Sequence, residues 1–342
     1  MKKLARGIGI VMEKSDKTMY SKYFSRLGLL FLAGTAVILC VQNLVVWAVE
    51  LWKPQWLENP SITLMLSVLP MYLIGMPVLI GLVKKMPGTA PEQHTMKMWE
   101  FLIALPMCYA VMYLTNLVGV VITGILGAIK GAPIGNAVMD IATNGNMAVN
   151  AFYMVLCAPI LEEYVFRKLI IDRTLRFGQG VAILVSGLMF GLFHGNISQF
   201  VYAAALGFFF GFIYVKTGKL KYSIGLHMFI NFFGAVISVL VLKGIKYEEF
   251  LLVSESGDAQ ALMGFVMNNL VGFMAYMLYL GFIVVMVIAG VVLFIVYRKR
   301  LVMAPGEVSI PKGKRFSVIF LNFGMAVYCL FWIAMMVVQI LL

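Results

Sequence analysis

This chain has little charge. Asp, Glu, Lys and Arg make up 12% of its 342 residues, against 62% hydrophobic ones. So little charge cannot clothe the two soluble domains that this length would otherwise suggest, which points to a polytopic α-helical membrane protein. Cysteine is sparser still. The four, Cys40, Cys108, Cys157 and Cys329, all fall in apolar runs and form no CxxC pair. That excludes a disulfide framework and a thiol-pair metal site, and leaves them as small packing residues. There is no HExxH, no GxSxG and no Ser/Lys or paired-Asp arrangement, so the commoner metallopeptidase and serine-hydrolase sites are missing. No internal repeat, low-complexity tail or soluble domain is visible. Acidic residues are outnumbered 15 to 27, for a net charge of +12. The basic residues sit at helix ends and in alternate loops, which points to anionic lipid headgroups and membrane topology and argues against nucleic acid.

What the chain does have is long apolar runs. A helix needs about 20 apolar residues to cross a bilayer. The pattern predicts an all-α bundle of about eight to nine transmembrane helices, near 27–49, 62–83, 101–127, 147–168, 181–197, 199–215, 222–242, 270–297 and 316–341. Lys and Arg alternate across them. Seven precede residue 27, Lys53 stands alone in the next loop, then come Lys84, Lys85 and Lys97, then Lys130 alone. Lys168, Arg173 and Arg176, the cluster Lys216, Lys219 and Lys221, and a last basic loop over 298–315 continue the alternation. By the positive-inside rule the N-terminus is cytoplasmic and the C-terminus lies on the other side of a cell membrane. The run from Leu27 to Val49 is of full span length and lacks an A-x-A site, so it reads as a retained helix and not a cleaved signal. Four regions result: a basic N-terminal segment over 1–26, with Leu4, Ile8 and Val11 spaced to lie on the membrane surface; accessory helices over 27–146; a core over 147–242; and C-terminal helices over 243–342. The more polar 244–270 stretch is expected outside the membrane with a short surface helix.

Ionisable groups concentrate inside that core. Ionisable residues at membrane depth are costly and mark bundle interiors or wet cavities. Here they are Glu162, Glu163, Arg167, His194, His227 and Asn231, with Pro159 just upstream. Glu163 and Arg167 are four apart and can pair on one helix face. Glu162 points about 100° away and is left without that partner, as suits a general base. Pro159 has no N–H, which frees the carbonyl of Val155 and makes room for a kink. His227 and Asn231, also four apart, share a face. His194 counts out deeper than the others, near the far end of its span. His94 falls in a loop and reads as a surface residue. Two chemistries are open. Glu with His and Asn donors is a complete hydrolytic set, and Glu162, His194 and His227 are a possible zinc set.

The ordered motifs Glu162-Glu163-x-x-x-Arg167, Phe190-x-x-x-His194 and His227-x-x-x-Asn231 resemble the CAAX prenyl protease and bacteriocin-processing (CPBP, or Abi) family of intramembrane proteases, over roughly residues 150–235. The resemblance implies an intramembrane endopeptidase acting near the cytoplasmic face on a membrane-embedded or lipidated peptide or protein. It implies Glu162 as activator of the water and His227 as the group that orients Glu162 or the water. His194 and Asn231 would stabilise the oxyanion, with Glu163 and Arg167 in support and no cofactor, zinc being the alternative. Rival readings are a non-catalytic scaffold or bacteriocin self-immunity protein of the same fold, and a transporter or channel.

Overall fold

The computed structural model describes residues 14–135, 143 and 145–341. Among these the protein is helical throughout, with no strand. Helix α1 spans Lys14–Trp52, α2 Pro60–Lys84, α3 Met98–Lys130, α4 residues 147–174, α5 Gln179–Phe193, α6 Ile197–Thr217 and α7 Leu220–Gly244. Then follow α8 (Tyr247–Glu255), α9 (Ala259–Asn268), α10 (Leu270–Tyr297), α11 (Arg315–Ile319) and α12 (Phe323–Leu341). Seven of them (α1, α2, α3, α6, α7, α10 and α12) are long and apolar enough to cross a membrane. The charged α4 and the short α5 accompany them, which agrees with the expected eight to nine. The chain is a multi-pass helical membrane bundle.

Three departures from the expected spans have local causes. Helix α1 starts at Lys14 and runs 39 residues, so residues 14–26 continue the first span and do not form a separate segment. The expected surface positions Leu4, Ile8 and Val11 lie outside the described residues. The last span divides into α11 and α12 because Asn322 interrupts it. Its amide donates to the carbonyls of Val318 and Ile319, and its carbonyl accepts from the Met325 N–H at 3.0 Å. Helix α5 stops at Phe193, four residues short of the expected end, and its last carbonyls are closed by a turn through Gly195 at φ +58°. The polar 244–270 stretch forms the two short helices α8 and α9, the second capped by Asp258.

Close approach at small residues holds the helices together, as expected where lipid supplies little hydrophobic drive. Gly187 and Gly191 of α5 meet α6 so tightly that a Cβ on Gly191 would stand 2.7 Å from the Cβ of Ala204. Gly28 of α1 packs on Gly324 of α12, and Gly290 of α10 on Pro106 and Ala110 of α3.

The connections sort onto two faces. On one, Tyr23 Oη donates to the Arg173 carbonyl, the His94 N–H bonds the Thr217 carbonyl, and the Val308 N–H bonds the Arg176 carbonyl. The basic segments around residues 23, 84–97, 172–179, 216–221 and 298–315 therefore meet. On the other, the Asn146 N–H reaches Ser61 Oγ, and Gln339 near the C-terminus reaches the Gly135 carbonyl.

Candidate active site

The site is built on α4, α5 and α7, with α6 behind it. Helix α4 alternates between α and π windings: π over Ala151–Cys157, α over Ala158–Glu162, π again over Glu163–Ile171. Such bulges have a cause when a helix lacks a donor. In the first π turn the Ala158 N–H bonds the carbonyl of Tyr153, five residues back. The same register would pair residue 159 with the carbonyl of Met154, but residue 159 is proline. Asn231 of α7 supplies the missing donor, its Nδ2 lying 2.7 Å from the Met154 oxygen. The carbonyl released by Pro159 is thus that of Met154, where α-helical counting indicates Val155.

Glu163 and Arg167 form the expected pair, in two parallel bonds of 3.0 Å from Nε and Nη2, both side chains fully buried. Bidentate geometry of this kind is the strongest arrangement for two charges taken out of water. The rest of the guanidinium is also accommodated. Nη1 donates to Ser186 Oγ at 3.3 Å, the Ser186 hydroxyl donates in turn to the Phe166 carbonyl, and the Phe190 ring centroid lies 4.4 Å from the guanidinium carbon. His227 Nδ1 donates to the Glu163 carboxylate at 3.1 Å. His227 is held flat by the Phe210 ring, stacked at 5.2 Å, and edge-on by Phe190. Neither Ser186 nor Phe210 was picked out from the sequence. A serine amid the apolar run 181–193 was the available signal for the first, and nothing in the sequence distinguishes Phe210 from its neighbours.

Glu162 is placed differently. Its carboxylate, with the side chain 23% exposed, stands 3.7 Å from His227 Nε2. His194, Tyr72 of α2 and Tyr202 of α6 lie within electrostatic reach of it. His227 therefore lies between the two glutamates: its bond goes to Glu163, and its Nε2 faces Glu162, the residue that it was expected to orient if it does not orient the water. His194 caps the end of α5 with Nδ1 2.9 Å from the Phe190 carbonyl. A carbonyl only accepts, so Nδ1 carries hydrogen, and in a neutral ring Nε2 is left as an acceptor. As an oxyanion donor it serves only when protonated. Asn231 has one amide hydrogen committed to Met154, which leaves the second. His94 is a surface side chain, 60% exposed beside Glu92.

Among the described residues no three His, Cys, Asp or Glu side chains converge as a ligand set. Glu162, His194 and His227 therefore do not fit a zinc coordination shell in this structure.

Comparison with known proteins falls on this region. Residues 144–233 match the family model described as type II CAAX prenyl endopeptidase Rce1-like. The chain is 30% identical over 156 residues to the membrane-embedded CAAX protease MroQ of Staphylococcus aureus, covering 43% of this chain and 60% of that protein. It is 32% identical over 88 residues to the putative membrane peptidase YdiL of Bacillus subtilis, covering 25% of this chain and 35% of that one. The chain thus aligns with less than two thirds of each relative's length. No solved structure matches it significantly. The three helix-borne motifs and these matches coincide, and the resemblance to the CAAX prenyl protease and bacteriocin-processing family of membrane proteases holds, carried by residues 144–233.

Proposed function

We propose that the chain is an intramembrane endopeptidase, cutting a membrane-embedded or lipidated peptide or protein near the face where its basic loops meet, which by the positive-inside rule is the cytoplasmic one. One observation carries this reading. Of two adjacent carboxylates, Glu163 is fully buried and locked by Arg167 and His227, while Glu162 stays partly open beside the His227 imidazole and within electrostatic reach of His194. The names of MroQ, a protease, and YdiL, a putative peptidase, support the same reaction class.

In this mechanism Glu162 takes a proton from a water molecule also held by His194 Nε2. The oxygen adds to the scissile carbonyl carbon and the carbonyl π electrons move onto its oxygen. That oxyanion is met by the second amide hydrogen of Asn231. The intermediate then collapses, the C–N bond breaks, and Glu162 returns the proton to the departing amine. Glu163 and Arg167 fix His227 beside the base. No step passes through zinc, and chelation of divalent metals is expected to leave cleavage unchanged.

The test compares membrane-protein termini in cells carrying wild type or Glu162→Gln at matched levels. Termini that need Glu162 support the peptidase and name its substrate. Identical termini with both proteins folded would turn the assignment to a membrane scaffold or self-immunity protein.

A further inference from the structure

A cavity of about 320 Å³ opens away from the catalytic residues, at the end of the bundle where the basic loops meet. That size falls at the lower end of small-molecule sites, roughly 300–1,000 Å³. Its floor is apolar, formed by Ala104 and Met107 of α3 and Phe209 and Ile213 of α6. Its rim is polar and carries Lys216 and Arg300, with Trp99 and Tyr297 between floor and rim. Trp and Tyr at such a level mark the boundary between hydrocarbon and headgroups. Trp99 is 44% exposed, and Leu102, one turn inward, is exposed at 55% on the outer surface of α3, so the rim adjoins the surface that faces lipid.

The charges facing this space are not equivalent. Glu100 is occupied by the Lys97 N–H at 2.8 Å, at the start of α3. Lys216 is bound to Gln179 at 2.8 Å, and His94 stands beside Glu92. Arg300 has no carboxylate within ion-pair distance among the described residues, only the Tyr297 ring at 5.2 Å. An apolar slot with an uncommitted guanidinium at its mouth, at headgroup level, matches one kind of ligand.

We propose that this cavity binds an anionic phospholipid of the leaflet on the basic face, one acyl chain entering between α3 and α6 and the phosphate meeting Arg300. A guanidinium suits a phosphate because its fork of donors matches two phosphate oxygens. The site is separate from the peptidase reading and stands or falls without it.

The full-length protein, purified in detergent, is titrated by native mass spectrometry with phosphatidylglycerol, phosphatidylcholine, glycerol phosphate and inorganic phosphate. Phosphatidylglycerol is expected to bind about fivefold tighter than phosphatidylcholine, the worth of one basic residue at an anionic headgroup. Arg300→Gln, at an exposed position, should erase that preference. Glycerol phosphate and inorganic phosphate, having no acyl chain, should not compete. Equal binding of the two lipids, or a preference that survives Arg300→Gln, overturns the site. Displacement of phosphatidylglycerol by inorganic phosphate would make it a free-anion site and overturn the lipid assignment.

Discussion

Glu162 and Glu163 are neighbours in sequence and opposites in environment. The second is part of a buried ion pair, which stabilises little by itself but is costly to break, because the partner charge is left stranded. Glu163→Gln should therefore lower stability by about 3–5 kcal/mol, seen as a fall in melting temperature or loss of folded protein from detergent. Glu162→Gln should leave the melting temperature within a degree or two of wild type and slow cleavage by roughly 10²–10⁴-fold, the usual worth of a general base. A protein that loses activity only in step with its stability at both positions would contradict this division. Asn231 has two tasks that can be separated. Asn231→Ala leaves the Met154 carbonyl without a donor, at a cost of about 1–3 kcal/mol. In a Pro159→Ala background, residue 159 regains an N–H aimed at the same carbonyl, so the stability cost of Asn231→Ala should shrink there. Cleavage should stay impaired in both backgrounds, because the proposed oxyanion donor is gone. An equal stability cost in the two backgrounds would sever the link between the proline and the asparagine.

The α5–α6 pair is where helix geometry controls the site. It carries Ser186, Phe190 and His194 on one helix and Phe210 on the other, held together by glycine contacts. A Cβ at Gly187 would stand 2.8 Å from the backbone nitrogen of Phe208, which cannot swing aside as a flexible side chain can. Gly187→Val should cost about 1–3 kcal/mol by overpacking and lower activity at temperatures where the protein remains folded, because the pair carrying Phe190 and Phe210 must separate. Gly281, with open space around its Cα, is the control: Gly281→Ala should be silent in both measurements. The broken winding of α4 serves the same end. Its π turns rotate successive side chains by less than an α-helix does, and they place Glu163 and Arg167 inward while Glu162 borders the open space.

For the bundle as a whole, the two sets of connections give a prediction about sidedness. Gly313, in the basic loop, and Gly264, in α9, both have open surroundings, so a cysteine at either should fold normally. A membrane-impermeant maleimide applied to intact cells should label Gly264→Cys and reach Gly313→Cys only after permeabilisation. The reverse pattern would invert the topology and move the proposed cleavage to the other side of the membrane.

Composition and hydropathy determined the fold class and the rough number of helices, because lipid enforces one solution for the backbone: long apolar segments with their hydrogen bonds made internally. Spacing determined the Glu163–Arg167 pair, since an i,i+4 contact is local to one helix. The motif residues Glu162, His194, His227 and Asn231 were legible as a polar cluster for the same reason that makes them rare, the cost of polarity at membrane depth. What each of them touches was decided only by tertiary structure. That His227 bonds Glu163 more closely than Glu162, that Asn231 stands in for the missing N–H of Pro159, and that Phe210 supports an imidazole are contacts between helices. Their distances depend on crossing angles and on a π register, and a linear pattern of hydrophobicity carries neither. The meeting of the basic loops around a cavity edged by Arg300 is of the same kind: residues about 200 positions apart become neighbours only when α3, α6 and α10 pack.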